Sequence, residues 1–380
     1  MTSRGSIRRA GVAGVAAVAA VAPFALAWRF AHVYRARAGV PRPHPPTMDP
    51  GDVGLPFEAL DVPTPDGLVL PAWWIPARDG APGPAVVLVH GWESGRHRTL
   101  PNAQFLHAAG YHVLTFDVRG HGANPAEELP ISAAEFGSDA LAAVGVALAR
   151  QEVTAVAVLG HSMGAIGAIL AAAAEPRVAA AVLTATPADP HRLTRQTFRL
   201  ARLPIPDPIA YPLAWLTTRV YLEPRGHAVD AISATAAIRR YDGPILAIHG
   251  MDDRVVPFAH LGRLTSASRA ARAGPGDGAA PAEALEIPAG QHSWLYEFAE
   301  YREAVARFLA RALGGPLEPE EAGRVARAVD ARRPPDDERR FSALDDLPGS
   351  TSDESVAASA ASALTAEAAP PAAPAPGLEA

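Results

Sequence analysis

Gly160-His161-Ser162-Met163-Gly164 lies between the apolar run Val153 to Leu159 and the Ala-rich run Ala165 to Ala174. The first run has the length and β-branched content of a buried strand, and the second has the length and small apolar residues of a helix. A Gly-x-Ser-x-Gly segment at such a junction predicts a sharp turn that lifts the serine hydroxyl above the sheet edge, at the N-terminus of the following helix. Glycines two positions before and two after Ser162 leave room for the backbone to reverse.

The same alternation continues on both sides. Phe57 to Val62 and Leu68 to Ile75 flank Pro65-Asp66-Gly67, which predicts a β-hairpin. Strands are then expected at Ala85 to Val89, His112 to Phe116, Val178 to Thr184, Ile245 to Ile248 and Leu285 to Ile287. Helices are expected at Leu100 to Ala109, Ala133 to Arg150, after Pro257, and at Leu295 to Leu313. Continuous apolar strands alternating with helices define an α/β class with a mostly parallel central sheet covered on both faces. The stretch 188–242 is far longer than an ordinary connection and holds Phe198, Tyr211, Trp215 and Tyr221 among several prolines. It is expected to be an irregular lid that presents apolar surface to the main domain, with Trp215 covering the mouth above Ser162.

A serine hydroxyl needs a base to remove its proton, and the base needs an acid to orient it. Asp253 follows the strand Ile245 to Ile248, and His292 follows the last strand, so the order is Ser, acid, His with each at the carboxyl end of a strand. Asp252 is the neighbour of Asp253, and Asp189, just after Val178 to Thr184, is a second candidate acid. His90, His121 and His161 stand in tight loops and are expected to bond to backbone, with His161 also a candidate pocket residue. Motifs for a catalytic zinc, a P-loop or a dinucleotide are absent from the sequence, and no cofactor or metal is implied.

With these segments in place, the chain resembles the α/β-hydrolase family, in particular esterase-like and peptidase-like members with a membrane-proximal N-terminus. The resemblance spans roughly residues 57–313. It rests on His90-Gly91-Trp92, Phe116-Asp117-Val118-Arg119-Gly120-His121-Gly122, Gly160-His161-Ser162-Met163-Gly164, His249-Gly250 with Asp253 and Val256-Pro257, and Gly290-Gln291-His292. It implies an α/β-hydrolase fold with a lid insertion, Ser162 as nucleophile, Asp253 as acid and His292 as base. It also implies an oxyanion hole formed by the backbone N–H groups of Trp92 and Met163. Two fixed donors would stabilise the charge that attack places on a carbonyl oxygen, and the Trp92 indole would wall the acyl pocket.

The expected activity is hydrolysis of a carboxylic ester on a small acyl substrate. A peptidase or acyltransferase would share the triad, and a catalytically silent binding protein would use the same cleft. The formal net charge of −6 with scattered arginines gives no field for nucleic acid. The lack of cysteine excludes a disulfide framework and thiolate sites.

The organisation expected along the chain is a basic segment at 1–9, an apolar run at 10–28, a Pro-rich linker at 29–56, the catalytic domain at 57–314 and a disordered tail at 315–380. The apolar run is uncharged and about 28 Å long as a helix, close to the hydrocarbon thickness, so a retained single-pass anchor is expected. A signal peptide cleaved after Ala25-Leu26-Ala27 is the alternative.

Overall fold

A computed structural model describes residues 3–273 and 280–332 of the chain, with side chains described from residue 19 onward. Eight strands form one sheet: β1 (Glu58–Pro63), β2 (Val69–Ile75), β3 (Gly83–Val89), β4 (His112–Phe116), β5 (Val153–His161), β6 (Val178–Thr184), β7 (Ile245–Gly250) and β8 (Glu283–Ile287). Their spatial order is β1-β2-β4-β3-β5-β6-β7-β8. The expected hairpin β1–β2 is antiparallel and joins β4 antiparallel. All other pairs are parallel. The strands match the expected ones to within a few residues, because continuous apolar runs have nowhere to go but the middle of a covered sheet.

Helices cover both faces. On one side α3 (Ala133–Leu148), α4 (Met163–Ala174), α7 (Ala234–Ile238) and α8 (Ala259–Ala271) bring Phe136, Ile166, Ile238 and Leu264 onto Val87, Val89 and Val158. On the other, α2 (Leu100–Ala108) and α9 (Ala299–Leu313) bring Phe105, Val305 and Leu309 onto Val86, Leu88 and Ala157. Val86 and Val87 thus serve opposite cores, as the pleat requires. Ser132 caps α3 in a capping box with Glu135.

Between β6 and β7 the chain is helical rather than irregular. Helices α5 (Pro190–Leu200) and α6 (Asp207–Leu222) pack against each other through Thr194 Oγ1 and Thr218 Oγ1, 2.9 Å apart. Pro190 and Pro208 stand in first turns, where a missing N–H breaks no helical bond, and Pro212 is accommodated inside α6. Within the stretch read as lid, Leu222, Ile232 and the α7 residues Ala234, Ala237 and Ile238 are buried in the main core.

Both ends of the chain differ from expectation. Helix α1 (Ser3–Ala38) runs ten residues into the stretch read as linker. Packing explains it: Ala31 is fully buried, Phe30 and Tyr34 meet Phe198 edge-on, Tyr34 Oη lies 2.8 Å from Thr197 Oγ1, and Arg35 donates to Val220 O at 3.0 Å. The helix stops at Gly39, whose carbonyl accepts from Ile131 N at 2.8 Å. Among the described residues no helix is long and apolar enough to cross a membrane, and the first part of the run 10–28 lies outside the described side chains. At the other end, α10 (Pro319–Ala328) corrects the reading of 315–380 as wholly disordered. Ala322 and Ala326 are buried against the α2–α9 core, and Arg302 donates to Ala326 O at 3.2 Å and Arg327 O at 3.0 Å. Residues 333–380 of that stretch lie outside the described residues.

Candidate active site

Ser162 occupies the turn between β5 and α4 with φ 54° and ψ −120°, a conformation that L-residues rarely adopt. Its neighbours impose it. A Cβ on Gly160 would stand 2.3 Å from Gly164 O, and one on Gly164 would stand 2.3 Å from Val89 O and 2.2 Å from His90 O. The Ser162 N–H donates to Thr184 O at 2.9 Å, tying the turn to the end of β6. The strained backbone is therefore held from two strands at once.

The Ser162 hydroxyl lies 3.0 Å from His292 Nε2, and His292 Nδ1–H donates to Asp253 Oδ2 at 2.8 Å. Asp253 Oδ1 accepts from Val255 N at 2.9 Å and Val256 N at 2.8 Å. Burial opposes ionisation of Asp253. The adjacent His292 imidazole and hydrogen bonds from His249 and His292 outweigh it and hold the carboxyl well below the usual carboxylate range. The loops carrying Asp253 and His292 are joined through backbone: Met251 N donates to Ile287 O at 3.0 Å and Asp252 N to Gly290 O at 2.9 Å. A Cβ on Gly250 would meet Gly290 O at 2.2 Å, so only glycine allows the two loops to approach this closely.

The other acids are placed elsewhere. Asp252 is exposed. Asp189 precedes α5 and faces Thr235 Oγ1 at 3.4 Å and Arg192 at 3.5 Å. His90 and His121 bond to backbone as expected: His90 Nδ1–H donates to Gly91 O and its Nε2 accepts from Val118 N, while His121 Nδ1–H donates to Arg119 O. His161 braces the base, since its Nε2–H donates to His292 O at 2.8 Å. Burial and the neighbouring His292 push its pKa down to about 4, against the pull of that hydrogen bond. That nitrogen is committed within the protein, and through it His161 supports the backbone of His292.

Trp92 follows β3 in a loop that passes beside the nucleophile: a Cβ on Gly91 would lie 3.5 Å from Ser162 Cβ. The Met163 N–H opens α4, where helix geometry leaves it without an intrahelical acceptor. The Trp92 indole meets His121 edge-on at 5.3 Å and packs partly buried against the core. Trp215 sits on the exposed side of α6 with the Arg219 guanidinium 3.7 Å from its ring centre, so it does not line the interior as expected.

One residue near the acid carried no role in the sequence. His249 Nε2–H is shared between Val256 O at 2.8 Å and Asp253 Oδ2 at 3.2 Å, and the ring is fully buried. Asp253 thus receives four donors. The only signal in the sequence was a histidine four residues before the acid, whose significance depends on how the loop folds back. Among the described residues no cluster of His, Asp and Glu could hold a metal ion.

This sheet order and the strand-turn-helix serine define an α/β-hydrolase fold. Residues 80–222 match the family model described as "Serine aminopeptidase, S33". An uncharacterized protein of Mycobacterium tuberculosis is 30% identical over 209 residues, which is 54% of this chain and 66% of that relative. Among solved structures, an esterase of Pyrococcus furiosus superposes with TM-score 0.56 at 20% identity, covering 72% of this chain and 97% of its own. A puromycin-hydrolyzing peptidase of Mycobacterium tuberculosis gives 0.53 at 20% identity, covering 68% of this chain and 40% of its own.

Proposed function

We propose that the protein is a serine hydrolase that cleaves a carboxylic ester through an acyl-enzyme. The observation that carries this reading is the unbroken series Ser162 Oγ, His292 Nε2, His292 Nδ1, Asp253 Oδ2, with links of 3.0 and 2.8 Å. Ser162 attacks the carbonyl carbon while His292 takes its proton. The Trp92 and Met163 N–H groups receive the oxyanion, and the protonated His292 returns the proton to the leaving oxygen. Water then repeats the sequence on the acyl-enzyme. Asp253 holds the imidazole in the required tautomer and stabilises its charged form.

An ester is the preferred reading because partly buried apolar residues stand next to Ser162: Met163 follows it, and the loop that carries Trp92 passes beside it. A peptidase reading is favoured by the family description matched over residues 80–222. Turnover on matched ester and amide substrates, with Ser162→Ala as blank, distinguishes them. Failure of a fluorophosphonate to label Ser162 would leave only a silent binding protein.

The second part of the reading is that α1 is a retained single-pass anchor. It is supported by the uncharged run 10–28 and by continuity of the same helix into the packed segment ending at Ala38. Intact-mass measurement of the mature chain tests it, since a start at Trp28 would show cleavage.

A further inference from the structure

We propose that the outer face of the lid is a lipid-docking surface: Ile209, Tyr211 and Trp215 of α6 rest among the headgroups of an anionic bilayer, beside the point where α1 leaves the body of the protein. The proposal rests on the reading of α1 as an anchor.

Ile209 is 60% exposed, Tyr211 43% and Trp215 46%, although α6 is packed on its other side through Ala210, Ala214, Thr217 and Thr218. These large apolar side chains gain nothing from water, and two of them carry aromatic rings of the kind enriched at membrane interfaces. The direction of α1 gives the patch its partner. Arg35 reaches Val220 near the end of α6. Phe30 packs on Phe198, whose neighbours Arg195 and Arg199 pair with Asp207 at the start of α6. The two helices therefore run the same way, and the upstream turns of α1 leave the body beside the first turns of α6. Those turns expose Val21 (62%), Phe24 (77%), Leu26 (66%) and Trp28 (51%), which point to several sides of the helix, as lipid-facing residues do. Trp28 and the α6 rings are thus brought to one level.

Charge favours the same occupant. Residues 190–222 carry five arginines and a single acid, Asp207, in a chain whose net charge is −6. The exposed Arg219 lies over Trp215, 3.7 Å from its ring centre, while Arg195, over Tyr211, is buried and paired with Asp207. An exposed guanidinium beside an apolar ring fits anionic headgroups above acyl chains.

The test uses the full chain reconstituted in vesicles of phosphatidylcholine and phosphatidylglycerol that carry a nitroxide-labelled lipid. The chain has six tryptophans, so the Trp215 signal is the difference between wild type and Trp215→Phe, with circular dichroism confirming the fold of both. The expected result is that lipid nitroxide quenches the Trp215 component strongly while aqueous iodide does not. Quenching by iodide alone would place the face in water and overturn the proposal. Protection from both quenchers would place it against protein, such as a second copy, and overturn it equally. Vesicle flotation is read in parallel: a chain that fails to float refutes the anchor and the docking together, whereas one that floats with Trp215 unquenched by lipid refutes the docking alone.

Discussion

Replacing His249 by leucine would remove one of the four donors to Asp253 while keeping the site filled. The lost contact is a hydrogen bond at 3.2 Å to a buried carboxylate. A hydrogen bond to a charged group contributes about 1.5–3 kcal/mol. If the whole of it is expressed in the transition state, kcat/KM falls roughly 10- to 150-fold. The loss is smaller than that of Asp253→Asn because Val255 N, Val256 N and His292 still hold the carboxylate. Stability changes as well. The depressed Asp253 pKa contributes stability that is present above the unfolded-state value and is lost as pH falls through the folded value; with that pKa raised, the contribution is smaller and is exhausted at a higher pH. His249→Gln, which keeps a donor, should recover most of both effects. A folded His249→Leu enzyme with unchanged kcat/KM and unchanged stability at neutral pH would refute the role given to His249.

Ser162→Ala and His292→Ala should each abolish measurable hydrolysis, and the double variant should be scarcely worse than either; Asp253→Asn should lose on the order of 10⁴-fold, while Asp252→Asn and Asp189→Asn keep most activity in the same activated-ester assay. Gly164→Ala should fail to accumulate as a folded protein or melt far lower, because its Cβ would stand 2.2–2.3 Å from two fixed carbonyl oxygens, and thermal unfolding reads this directly. Truncation after Gly314 should lower the melting temperature by removing Ala322 and Ala326 from the core and the carbonyl partners of Arg302, whereas truncation after Arg332 should leave it in place.

The sheet was legible because its strands are uninterrupted apolar runs, and the serine turn because glycines flank it on both sides. What the sequence hid was structure carried by small or misleading residues. The buried face of α10 consists of Ala322, Gly323 and Ala326, which leave almost no periodic apolar signal. In α5 and α6 the prolines read as breakers, though Pro190 and Pro208 are starters in their context. The last turns of α1 are helical because of Phe198 and Val220, residues more than 150 positions away, and no local pattern reports such contacts. The approach of Ser162, His292 and Asp253 was readable from order and strand position. The part played by His249 was not, since it depends on the loop bringing Val256 O and Asp253 back over the ring.

His292 follows the last strand of the sheet. Ser162 and His292 lie 130 residues apart, and β8, which positions His292, pairs only with β7 at the edge of the sheet. During synthesis the serine turn, held by β3, β5 and β6, can form while the C-terminal third of the chain is still being made. The nascent chain would then carry a shaped serine turn without its histidine partner. The contact of Ser162 with His292 would be made late, when β8 pairs with β7 and α9 closes the second face of the core.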